Sequence, residues 1–310
     1  MVASEALGTR HVGAITEDPV TPKASVQYLI TPNDLLYVTA AKGFRAGGVN
    51  QAFTASGNSQ LIGQYGLTQD VLPKQYSSDS VWSYEIGGKF RLLNGRAQLN
   101  AAAYRIDWSN VQTTVTIGGD GIVFNVPSAR SQGVEVEGQL RPFRALTLNG
   151  NVAWQKAKFT SNYIIPSPRP NNVPLNVAVD GDIFPMPEWT FDVGARYDVT
   201  LSPALRGYAR VDYRWSKAYL NAQPGSAAYS PDSSPVPKQQ NVNLRLGVEY
   251  GDFDVNFFIN NVTDEQSGAV GGGRSQCTNV ACTAFVQYNP FRTTNWGTPR
   301  QFGVQLAYRH

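Results

Sequence analysis

The chain has 310 residues and a formal net charge of +3, but only 16% of it is charged, against roughly 25% in an ordinary soluble domain. Aromatics reach 11% and glycines number 29, while no apolar run approaches the roughly 18 residues of a membrane-spanning helix. The two histidines, His11 and His310, stand at opposite ends and exclude a His-centred metal cluster or a Ser/His relay; no basic block marks a nucleic-acid surface, and GxxxxGK[ST], GxSxG and HExxH are all absent.

Taken in chain order, strands are predicted over residues 23–31, 35–45, 78–91, 96–116, 121–142, 145–158, 187–200, 204–216, 238–250, 253–262 and 299–310. Their signal is a period of two. In Ala145–Gln155, Leu146, Leu148, Gly150, Val152 and Trp154 share one face, and Thr147, Asn149, Asn151, Ala153 and Gln155 share the other. Trp189–Val199 and Asn241–Tyr250 repeat the pattern. The stretch Arg96–Trp108 changes phase between Ala103 and Tyr104, which predicts a bulge or slip there.

Short turns at Thr31–Asp34, Leu92–Gly95, Pro142–Ala145, Leu201–Ala204 and Tyr250–Asp252 alternate with long polar loops over residues 45–77, 158–187, 216–238 and 263–299. All the long loops thus fall at one end. Short turns on one side, long loops on the other and alternating strands predict an all-β, antiparallel transmembrane barrel wall of about eleven strands. On its polar, inward face lie Glu85, Lys89, Glu135, Glu137, Arg196, Arg206, Arg210, Arg214, Arg245 and Glu249, along with Asp192 and Asp212. Tyr28, Trp82, Tyr84, Trp108, Trp154, Trp189, Tyr197, Tyr213, Trp215 and Tyr308 are expected in aromatic girdles at the two membrane interfaces. The competing readings are a solvated charge ladder for the inward residues and a soluble core for the aromatics.

Several segments resemble one family. Leu36–Asn50 (LYVTAAKGFRAGGVN) is similar to the YVSYAKGFRSGGFN segment of TonB-dependent outer-membrane receptors, and Ser80–Lys89 (SVWSYEIGGK) to their NYELGLK strand. Phe124–Glu137 (FNVPSARSQGVEVE), Phe257–Asp264 (FFINNVTD) and Thr298–His310 (TPRQFGVQLAYRH) resemble later segments in the same order. The resemblance implies a 22-stranded barrel enclosing an N-terminal plug, with a TonB box that couples plug motion to the proton-motive force. This chain then corresponds to the C-terminal half: residues 1–22 as the remnant of an extracellular loop and 23–310 as barrel.

The implied location is the bacterial outer membrane. The implied partners are outer-membrane lipid, the barrel-assembly machinery, plug and TonB in the intact parent, and a small-molecule nutrient such as a ferric siderophore, cobalamin or an oligosaccharide. No covalent chemistry, cofactor or nucleic acid is implied, and a half-barrel by itself is expected to lack energy-coupled transport. Ligand contacts are expected from the loop residues Arg45, Tyr65, Tyr219, Tyr288, Arg292 and Trp296. Cys277 and Cys282 are candidates for a loop disulfide, with free thiols or a metal pair as alternatives. Phe302, Val304, Leu306, Tyr308 and His310 form the expected C-terminal assembly signal, in which His310 stands where the family usually has Phe or Trp. The alternatives are a self-contained passive porin of about twelve strands and an outer-membrane enzyme or soluble β-binding protein.

Overall fold

The computed structural model describes residues 17–52, 54–117, 119–170, 172–224, 235–271, 275–277, 285–287, 293–295 and 297–308. Eleven long strands dominate: β1 (Lys23–Thr31), β2 (Asp34–Arg45), β3 (Asp79–Leu92), β4 (Ala97–Ile117), β5 (Asp120–Phe143), β6 (Leu146–Phe159), β7 (Trp189–Ser202), β8 (Leu205–Ser216), β9 (Gln239–Tyr250), β10 (Phe253–Asn260) and β11 (Gln301–Tyr308). They form one antiparallel sheet in which every strand pairs with its neighbours in sequence, from β1 at one edge to β11 at the other. The short turns are chemically specified. Asn94 (φ 56°) and Gly95 (φ 83°) take the left-handed conformation between β3 and β4, and Gly251 (φ 55°) does so between β9 and β10. Before β2, the Thr31 hydroxyl donates to Asp34 at 2.7 Å and accepts from the Asn33 amide.

Register fixes the faces, because directly paired residues project to the same side. On one side Val211 pairs with Leu244, Leu244 with Ile259, and Ile259 with Phe302. Residues on this side are exposed: Val211 retains 39% of its surface, Leu246 on the same face 59% and Phe302 81%. A sheet in water would cover such a face, so the solvent it suits is lipid. Aromatics bound this face at two heights. Trp82 stacks on Tyr84 (centroids 6.0 Å apart), Trp154 meets Trp189 (6.5 Å) and Phe191 stacks on Trp215 (5.2 Å) at the long-loop end. Phe143 meets Tyr197 (6.4 Å) and Phe253 meets Tyr308 (5.1 Å) at the short-turn end. Trp215 lies ten residues from Leu205, which pairs with Tyr250. At about 3.3 Å per residue and a tilt of about 40°, that separation spans roughly 25 Å, the height of a barrel's apolar band.

The opposite face is polar, with rings set against glycines. Tyr37 pairs with Gly87, Tyr104 with Gly133, Tyr208 with Gly247 and Phe258 with Gly303. A β-carbon on Gly133 would lie 2.7 Å from the Tyr104 hydroxyl oxygen, and one on Gly303 would lie 2.6 Å from the Phe258 ring. Only the missing side chain lets each ring lie flat on the neighbouring strand.

Three expectations are corrected. β3, β4 and β5 pair without a slip through Ala103 and Tyr104; the phase changes at Asn110, whose φ of 58° interrupts the alternation. Trp108 therefore faces inward, not into the interface, and packs 6.3 Å from Phe184. The long loops expected to be polar also carry a packed core. Past Asn110, the apolar side of the β4–β5 hairpin (Val111, Ile117, Ile122, Phe124) is buried against Leu61, Tyr65, Leu67 and Leu72 of one loop and Leu175 and Val177 of the next. A short helix, Ala55–Gln60, capped by the Thr54 hydroxyl accepting from Gly57 N at 3.2 Å, starts the first loop's turn over the hairpin. We call this assembly the cap.

Candidate functional site

The polar wall of β5–β9 lines an open groove of about 510 Å³. Pairing places Arg196, Arg210 and Arg245 side by side on three successive strands. Like charges directly opposite destabilise a sheet, and aspartates offset them. Arg196 Nε donates to Asp198 at 2.9 Å, Arg210 Nη2 to Asp212 at 2.8 Å, and Arg245 lies 3.7 Å from Asp212 on its other side. Two rows nearer the loops, Arg214 Nε donates to Asp192 at 2.5 Å. The guanidinium of Arg196 also sits over the Tyr208 ring, 4.0 Å from its centre. Asn149, Asn151, Asn241 and Asn243 add amides to the same groove.

The remaining inward candidates share this face. Glu85 accepts from the Tyr37 hydroxyl at 2.5 Å, and Glu137 pairs with Asn100 and Asn151. Lys89 pairs with Leu35 and Asn100, Glu135 with Ala102 and Ala153, and Arg206 with Glu249. Arg206 joins Arg141, Arg144 and Arg196 around a second hollow of about 620 Å³ at the short-turn end. Such a surface offers reversible hydrogen bonds from rigidly held guanidinium groups to an oxygen-rich ligand or a polar protein surface. Among the described residues no group of three or more His, Cys, Asp or Glu side chains could hold a metal.

The loop candidates divide. Arg45 ends β2 facing inward, bonded through its guanidinium to Asp79 and set 4.9 Å over the Trp108 ring. Asp79, which sequence reading did not single out, is 2% exposed and also accepts from Gln112 N at 3.1 Å. Tyr65 is not a solvent-facing contact. It is 2% exposed within the cap, its hydroxyl finds no partner among the described residues, and burial pushes its phenol pKa upward. The apolar neighbours Leu61 and Leu67 pull it inward; a tyrosine flanked by leucines in a nominally polar loop was the available signal. Tyr219 pairs with Val236 in a two-stranded hairpin above β8 and β9. Just outside the wall, the bond from Lys217 Nζ at 2.5 Å holds the Glu188 carboxyl below the ordinary carboxylate range.

Cys277 ends a short strand paired with Phe285. Its proposed partner Cys282 lies outside the described residues, as do Tyr288, Arg292, Trp296 and His310. Phe302, Val304, Leu306 and Tyr308 form the apolar outward face of β11.

An antiparallel wall with a lipid-facing apolar band, two aromatic girdles and a charged interior defines a transmembrane β-barrel protein of the outer-membrane type. The sequence profile of the TonB-dependent receptor-like β-barrel family matches residues 5–306, and the chain belongs to that family. The family's barrels are receptors and transporters of the Gram-negative outer membrane, not enzymes.

Among curated proteins, the metal-pseudopaline receptor CntO of Pseudomonas aeruginosa is 28% identical over 147 residues, covering 47% of this chain and 18% of that receptor. Among solved structures, the ferric yersiniabactin uptake receptor FyuA of Yersinia pestis superposes with a TM-score of 0.64 at 15% identity, over 92% of this chain and 36% of its own. The siderophore receptor PiuA of Acinetobacter baumannii gives 0.58 at 15%, over 92% and 35%. The chain thus spans about a fifth of the curated relative it matches and about a third of these structures.

Proposed function

We propose that this chain forms the C-terminal part of the barrel of a TonB-dependent receptor that imports a chelated metal, with ferric siderophores as the first class to test. The observation that carries this reading is the Arg196–Arg210–Arg245 row with its interleaved aspartates, which presents three guanidinium groups at one height of the lumen wall. The siderophore and metallophore receptors named above support the cargo class. In this reading residues 1–22 belong to an extracellular loop and 23–310 to the wall, the plug and TonB act from outside this chain, and the outward face of β11 guides barrel assembly.

The test is uptake of labelled ferric chelates by cells carrying the complete receptor. Deleting its gene should abolish growth on one chelate under metal starvation, and Arg210→Gln with Arg245→Gln should reduce uptake on the order of tenfold. Unchanged uptake in the double variant, at equal receptor abundance, removes the lumen row from the transport path. Energy-independent passage of small solutes through this chain alone would instead favour a passive pore.

A further inference from the structure

The outward face carries one break in its apolar pattern. Lys42 pairs with Trp82, Trp82 with Asp107, Asp107 with Arg130 and Arg130 with Lys158, so these five residues form one row across β2–β6. In the row nearer the membrane centre, Arg105 pairs with Gln132 and Gln132 with Lys156. Directly beneath both rows come Val38, Ile86, Ala103 and Val134, the upper edge of the apolar band. The two rows therefore lie at the height of the Trp82–Tyr84 stack, on the long-loop side of the membrane.

Five cations share this patch with one carboxylate. Asp107 accepts from Arg105 at 2.8 Å and from Arg130 at 2.7 Å. Among the described residues no carboxylate bonds the ammonium groups of Lys42, Lys156 and Lys158; Glu188, near Lys156, is bonded to Lys217. Arg130 and Lys158 are directly opposite, an arrangement that costs stability unless anions intervene. In the lumen the same opposition of arginines is relieved by aspartates of the wall itself. Outside, the wall supplies only Asp107, which is taken up by Arg105 and Arg130, while among the described residues Lys42, Lys156 and Lys158 have no bonded carboxylate; at this height on the lipid-facing surface the neighbour is the membrane. Farther round the wall, the row of Val134 just beneath the cations continues through Trp154 to Trp189.

We propose that the outward face of β2–β6 is a binding site for the phosphorylated headgroup of an outer-leaflet lipid, with Lys42, Arg105, Arg130, Lys156 and Lys158 as phosphate ligands and Trp82 and Tyr84 seated at the headgroup boundary. This assignment rests on the membrane reading of the fold and is independent of the transported cargo.

The test uses the full chain, extracted in mild detergent, and lipid A bearing both phosphates as the probe. Arg130→Gln, Lys156→Gln and Lys158→Gln together should weaken lipid A binding on the order of a hundredfold, at about fivefold per cation. Dephosphorylated lipid A should bind the unaltered chain as weakly. Arg91→Gln and Arg96→Gln, a two-charge change beside the β3–β4 turn at the short-turn end, should leave binding unchanged. Asp107→Asn provides the converse variant and should tighten binding by about fivefold, which lost folding would not produce. Equal binding of lipid A by the triple variant, no tightening by Asp107→Asn, displacement by inorganic phosphate at equal phosphate concentration, or self-association through the patch in place of lipid binding would each overturn the assignment.

Discussion

The wall and the cap are built from the same kinds of residue and use them oppositely. In the wall, Leu244, Leu246, Phe257 and Val304 turn away from the protein and stay exposed, whereas in the cap Leu61, Ile117, Phe124 and Leu175 have no exposed surface or almost none. Hydrophobic burial acts in both. In the cap the protein supplies the apolar partner; in the wall the bilayer does. The cap is therefore a small self-packed core on a sheet that has no core of its own, and the two regions should fail under different insults.

The largest expected effect tests the cap. Phe124→Ala removes a fully buried ring and should cost about 3–5 kcal/mol of local stability. Limited proteolysis of the membrane-inserted protein should then show faster cleavage within the loop at 54–77, with the wall strands still protected. Cleavage at the unaltered rate would mean that the cap does not hold its loop. Next comes the wall: Leu246→Arg places a charge on the lipid face between the two girdles and should cost about 2–4 kcal/mol, read as lower denaturant resistance in vesicles. Cap proteolysis should not change in this variant, and a coupled change would erase the distinction between the regions.

The smallest effect concerns the seam between them. Glu188 has its carboxyl held below the ordinary range by Lys217, so the pair stabilises the fold above that range and loses its effect as pH falls through the lowered value. Glu188→Gln should cost about 0.2–1 kcal/mol at neutral pH, in line with a partly exposed ion pair. Cleavage rates of the 160–188 loop in the variant and the unaltered chain should converge as pH falls below the lowered Glu188 value; a difference that persists once the carboxyl is protonated would assign the effect to packing.

The wall was legible in the sequence because period two survives wherever one face meets lipid and the other water. That is why Trp189–Val199 and Asn241–Tyr250 gave both the strand and the face of each arginine. The cap was not legible, because its core is assembled from residues distant in sequence: Leu61 and Leu175 reach the β4–β5 hairpin from separate loops, and neither loop has a period to read. The inward turn of Trp108 was missed for a related reason. Its alternation is intact, but the surface it meets is Phe184 of a loop, not solvent or lipid. Charge and alternation put Arg210 and Asp212 on one polar face, while their mutual bond and the sharing of Asp212 with Arg245 required the register.

The ring-on-glycine pairs have a consequence for how neighbouring strands recognise each other. A slip of one residue exchanges the faces of the sheet and is penalised by every apolar side chain. A slip of two residues leaves the faces intact, and hydrophobicity cannot detect it. Shifted by two, Tyr208 would meet Arg245 or Glu249 in place of Gly247, Tyr104 would meet Ser131 or Glu135 in place of Gly133, and Tyr37 would meet Glu85 or Lys89 in place of Gly87. Each glycine is thus a notch that accepts one ring at one alignment. Together the notches proofread the errors that an alternating code alone would let pass.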